Sequence, residues 1–157
     1  MEHSKKIGFS FGITSAIITT LGLIVGLSSS THSRLAIIGS VLVIAIADAF
    51  SDSLGIHISE ESEKKHSKGE IYKASVYTWI AKFFFAMSFL LPVLLLPMEL
   101  AVIASVLWGL SLLAVFSYCI GDGNRWSAVG EHVLIAAVVI IASHYVGVFI
   151  SSYFGSI

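Results

Sequence analysis

Five long apolar runs, residues 7–28, 35–58, 75–96, 99–120 and 128–153, are separated by short polar breaks. A helix needs roughly 20 mostly apolar residues to cross the hydrocarbon core of a bilayer. The runs reach that length, exceed what a barrel strand needs and lack strict alternation, so they predict helices. The breaks carry turn chemistry. Residues 28–34 are polar, 60–73 are charged, Pro97 divides the third run from the fourth, and Gly121-Asp122-Gly123-Asn124-Arg125 divides the fourth from the fifth. The expected fold is all-α: a polytopic membrane protein with five transmembrane helices, forming one transmembrane domain over residues 1–157.

Composition narrows the function classes. Of 157 residues, 56% are hydrophobic and 12% charged, and the mean hydropathy is +0.91. Soluble domains carry about 25% charged residues, so this chain lacks the polar surface to cover a globule in water. A net charge of −1 offers no footprint for nucleic acid. The single cysteine, Cys119, excludes an intrachain disulfide. No zincin histidine motif, P-loop or nucleophile elbow occurs, so neither an enzyme nor a bound cofactor is expected. Lys5-Lys6 ahead of an apolar run is also how a secretory signal starts. The run is longer than a signal's apolar region and no A-x-A site follows, so a retained first helix is expected.

Lysine and arginine set the orientation. With the N-terminus in the cytosol, Lys5, Lys6, Lys64, Lys65, Lys68, Lys73 and Arg125 lie inside and only Arg34 lies outside. That bias predicts an N-in, C-out protein, placed in the plasma membrane of a prokaryote with lipid around it. Lys82 falls inside the third run near its cytoplasmic end, where its stem can snorkel to the headgroups.

Asp48 and Asp52 have no such explanation, because they stand in the second half of the second run. An intramembrane carboxylate costs at least about 2.5–3.5 kcal/mol on insertion scales, so two of them need a partner or a role. Their i, i+4 spacing sets them about 40° apart on one helix face. On a helical wheel Ser51, Gly55, Ser59, Ser62 and Glu63 join that stripe, and His57 falls on the far side. In one reading the pair binds a divalent cation in exchange for protons, since adjacent carboxylates repel and release protons when such a cation arrives. In the other the acids are structural, held by Lys82 or by hydroxyls of helix one, in a non-transporting assembly or interaction protein.

Helix one carries Gly8-x-x-x-Gly12 and Gly22-x-x-x-Gly26, which permit close helix contact, and the hydroxyls of Thr14, Ser15, Thr19 and Thr20. Ser15 and Thr19 are candidates to line a path opposite the aspartates. In helix five His144 lies deep in the apolar run, either as a proton relay or cation ligand or as a histidine bonded to its neighbours. Pro92 and Pro97 predict a kink near the external end of helix three.

Several segments taken in order resemble the vacuolar iron transporter family. They are Thr19-Thr20-Leu21-Gly22-Leu23-Ile24-Val25-Gly26-Leu27 in helix one, and Ile46-Ala47-Asp48-Ala49-Phe50-Ser51 through Gly55 to Ser62-Glu63 in helix two. Leu91-Pro92-Val93-Leu94-Leu95-Leu96-Pro97 in helix three and Ala142-Ser143-His144-Tyr145-Val146-Gly147 in helix five complete the set. The resemblance implies five N-in helices, a two-fold homodimer, and export of Fe²⁺ or Mn²⁺ from the cytosol.

The chain departs from the family's pattern at its acidic positions. Ser15-Ala16 stand where the family has Asp-Gly, Asp52 stands where methionine is common, and Ile44 stands at a family glutamate. Carboxylates in place of thioethers make the site harder, toward Mn²⁺, Mg²⁺ or Ca²⁺ with Fe²⁺ still acceptable. The family's long Glu-rich insert between helices two and three is replaced by the short segment 60–73. Its Glu60, Glu61, Glu63, His66 and Glu70 form either a reduced acidic vestibule or a solvated charge run. The resulting expectation is a proton-coupled Mn²⁺/Fe²⁺ exporter with Asp48 and Asp52 as metal ligands and Ser15, Thr19, Ser51, Ser59, Glu63 and His144 along the path.

Overall fold

The computed structural model describes residues 3–121 and 123–155, and every regular element in it is helical. Among the described residues, five helices are long and apolar enough to cross a membrane: α1 (His3–Thr31), α2 (Arg34–Glu63), α3 (Lys68–Leu95), α4 (Met98–Ile120) and α5 (Arg125–Phe154). They make the chain a multi-pass membrane protein. Asp122, part of the predicted turn between the fourth and fifth helices, lies outside the described residues.

Most of the helices outrun the apolar stretches that predict them. α2 and α5 have 30 residues each, or about 45 Å at 1.5 Å per residue, against a hydrocarbon core about 30 Å thick. The surplus turns extend beyond the hydrocarbon, where charged side chains cost little. This overturns the charged loop expected over 60–73, because α2 continues to Glu63 and α3 begins at Lys68. Lys64, with φ 54°, ends α2 in the left-handed region. Ser67 opens α3 with a capping box: its N–H and its hydroxyl donate to the Glu70 carboxylate at 2.9 and 2.7 Å. The polar break at 28–34 shrinks in the same way to residues 32 and 33. α3 is interrupted at Phe89, one turn before Pro92, whose ring and missing N–H disrupt the preceding turn.

The chain packs into two compact units. The first holds the residues of α1 up to Ala16 together with Leu42–Ser88. Here the glycines predicted to bring helices together do so. Gly8 meets the backbone of Ala74, and a Cβ added to Gly12 would lie 2.6 Å from the Thr78 carbonyl oxygen and 2.8 Å from the Ala81 Cβ. Ala16, Ala45 and Ala86 are fully buried one to a helix, with Ile44, Phe83, Phe85 and Met87 packed around them. Small side chains on all three helices thus let the backbones approach closely. Within α2, Ile44–Asp48 forms a π turn, which breaks the regular 3.6-residue phase of the helix.

The second unit holds Ile17–Val41 and the residues from Phe89 onward. Leu21 of α1 fills the space at Gly109 of α4, while Gly22 and Gly26 face Ser143 of α5. The Arg34 guanidinium donates to the Leu96 carbonyl at 2.6 Å, satisfying an acceptor at the end of α3. In both units large apolar side chains such as Phe50, Phe84, Leu107 and Leu134 remain more than half exposed. Water would not tolerate so much apolar surface, whereas lipid does.

Replacing Gly12 with valine forces overpacking against Thr78 and Ala81 and should lower stability by about 1–3 kcal/mol. Gly55→Ala, where nothing lies within 4 Å of an added Cβ, should be neutral or stabilising by up to about 1 kcal/mol. Thermal unfolding in detergent, followed by tryptophan fluorescence, checks both.

Candidate functional site

Lys82 has no exposed surface and lies in the interior of the first unit. The snorkelling lysine expected from its place in the third run is therefore corrected: its ammonium turns inward, because two carboxylates await it there. Lys82 Nζ lies 2.5 Å from Asp48 Oδ2 and 2.5 Å from Asp52 Oδ2. It also donates to Ser15 Oγ at 2.8 Å. Ser15 in turn donates to Asp52 Oδ2 at 2.6 Å. An ammonium has three N–H donors and no acceptor, and here it meets three acceptors.

Local structure explains this convergence. Asp48 and Asp52 are one turn apart on α2, so both reach the same side, and Asp48 is the last residue of the π turn. Ala45 and Ala49 beside them are fully buried, which brings α2 close to its neighbours. Gly12 holds α1 against α3 one turn before Ser15, so the serine hydroxyl reaches the lysine amine. The aspartate pair is the one the i, i+4 spacing predicts. Lys82, at its centre, reads from the sequence as a headgroup anchor or as a structural partner of the aspartates, and its charge within an apolar run is the signal that marks it.

The three charged groups sum to one net negative charge. Inside a low-dielectric bundle their attraction is strong, and so is the penalty for stranding any one of them. Exposure is unequal. The Lys82 side chain is sealed, while those of Asp48 and Asp52 are 34% and 19% exposed. The two aspartate side chains are therefore only partly enclosed, whereas the lysine between them is fully enclosed.

The other predicted path residues do not join this group. Ser51, Ser59 and Glu63 stand exposed on α2, as do Gly55 and Ser62, and Glu63 pairs with Lys65 at 3.6 Å. Thr19 and His144 belong to the second unit. There His144 Nδ1 is 2.8 Å from Ser29 Oγ, beside a recess of about 320 Å³ that Ser28, His32 and Ser151 also line. His57, on the far side of the wheel, meets Ser75 Oγ at 3.2 Å.

The acids of segment 60–73 are not uniformly solvated. Glu60 is buried with its carboxylate 3.6 Å from His66 Nε2, and Glu70 serves the capping box. Among the described residues no three His, Cys, Asp or Glu side chains gather into a metal-holding group. A cation at the aspartate pair would take oxygens from Asp48, Asp52 and Ser15 and complete its shell with water or backbone carbonyls. No family model matches the chain, and no curated protein matches it.

Removing one partner from a buried ion pair costs about 3–5 kcal/mol, because the other charge is left unmatched. Lys82→Ala should therefore destabilise the protein by that amount, and Asp48→Asn with Asp52→Asn added should recover most of it. A thermodynamic cycle on purified protein measures the coupling.

Proposed function

We propose that this protein is a cation transporter whose ion site is the Asp48–Asp52 pair, with Mn²⁺ or Fe²⁺ as substrate, moved out of the cytosol in exchange for protons. The observation that carries the reading is the pair itself: two carboxylates one turn apart in a membrane-spanning helix, their side chains partly exposed, with a serine oxygen beside them. Ionisable groups at membrane depth mark ion and proton paths. The Asp48 side chain is one-third exposed, so the lysine does not enclose it completely.

The lysine bias supports an N-in, C-out arrangement, and the resemblance to vacuolar iron transporters supports a two-fold homodimer and divalent metal as cargo. All-oxygen ligands favour Mn²⁺ over softer ions. The prokaryotic plasma membrane is the location this reading assigns. A second reading is favoured by the complete satisfaction of the Lys82 ammonium: the charges are a structural clasp in a non-transporting membrane protein.

Flux into inside-out proteoliposomes separates the two. The transporter reading expects saturable Mn²⁺ and Fe²⁺ uptake, accelerated by an inward-acidic gradient. Asp48→Asn and Asp52→Asn should each reduce it by at least about tenfold, the effect of losing some 1.4 kcal/mol of ion binding. Uptake that both variants leave unchanged would remove the pair from transport.

A further inference from the structure

We propose that Lys82 is a tethered competitor for the cation site, and that it makes the site selective for divalent over monovalent ions. The inference rests on the reading of Asp48 and Asp52 as an ion site and goes beyond it by naming what fills that site when no ion is bound. The ammonium touches both carboxylates at 2.5 Å and shares Ser15 with Asp52. These are the oxygens an incoming cation would use. From α1 the lysine meets the Ser15 hydroxyl and from α2 the two carboxylates.

Ion and ammonium therefore exclude one another. A divalent cation added beside a retained ammonium would turn the site's single negative charge into a positive one, and Coulomb repulsion at these distances is severe in a poorly solvated interior. With the ammonium withdrawn from the carboxylates, the divalent ion and the two carboxylates balance. The four-carbon stem of lysine is flexible, but the Lys82 side chain is sealed, so only an ion whose binding offsets the cost of separating the ammonium from its carboxylates displaces it. Because the competitor is attached to the protein, it is present whatever the ionic composition outside. A monovalent ion replaces one positive charge by another and gains nothing to offset its own dehydration. A divalent ion gains a full extra charge at the carboxylates.

Mn²⁺ binding to the full chain in lipid nanodiscs, read from the loss of the free Mn²⁺ electron paramagnetic resonance signal, tests this. Wild type should bind Mn²⁺ in a manner abolished by Asp48→Asn and nearly insensitive to added Na⁺. Lys82→Met should bind Mn²⁺ at least about tenfold tighter, as expected when a competing occupant is removed, and Na⁺ should now compete. Lys82→Gln, whose amide still donates to the carboxylates, serves as the better-folding variant and should show the same two changes. Arginine keeps the charge, so Lys82→Arg should bind no tighter than wild type. Equal or weaker Mn²⁺ affinity in both neutral variants, with wild-type binding intact and still dependent on Asp48, overturns the competitor role alone. Absence of Asp48-dependent Mn²⁺ binding in wild type and in both neutral variants overturns the ion site and the competitor together.

Discussion

A buried ammonium demands three acceptors, and meeting that demand at Lys82 organises the first unit. Asp48, Asp52 and Ser15 come from two different helices, and α3 supplies the lysine, so the charge is satisfied only when all three helices are in register. Gly8 and Gly12 set the distance from α1 to α3. Ala16, Ala45 and Ala86 close the remaining gaps. Directional bonds to a charged group define one arrangement among many that greasy helices could adopt, since lipid offers no hydrophobic force to choose between them. The second unit has no comparable ion pair among its described residues. It relies on steric fit, with Leu21 against Gly109 and Ser143 against Gly22.

The spans and the aspartate pair were legible because they depend on local composition. Hydropathy reports what a segment prefers as solvent, so five apolar runs became five helices. The i, i+4 relation of Asp48 and Asp52 survives any rotation of α2, so their common face was secure. The glycine motif at Gly8 and Gly12 pointed to close contact, and it found Ala74, Thr78 and Ala81. Helix ends were less legible. Residues such as Glu61 and Glu63 are polar enough to suggest a loop, yet a helix leaving the bilayer carries such exposed side chains at little cost.

The rest of the site depends on which helix lies against which face, and a one-dimensional pattern does not contain that. Lys82 looked like a headgroup anchor because its distance to a membrane surface can be read from sequence, whereas its distance to Asp48 on another helix cannot. The wheel placed Ser51 and Ser59 with the aspartates by angle alone. In the folded chain the aspartates lean toward Lys82 while those serines remain on open surface. The π turn at Ile44–Asp48 also breaks the constant angle per residue that a wheel assumes.

The ion pair has a further consequence during biogenesis. α2 leaves the ribosome with two carboxylates before the lysine that pairs with them has been made. Each carboxylate adds about 2.5–3.5 kcal/mol to the cost of insertion, so α2 alone is a poor candidate to settle in the bilayer. α3 follows after only residues 64–67, and Lys82 can reach Asp48 and Asp52 as soon as the two helices lie side by side. The pair is then best inserted as a single helical hairpin, with its charges already joined when it leaves the translocation channel for lipid.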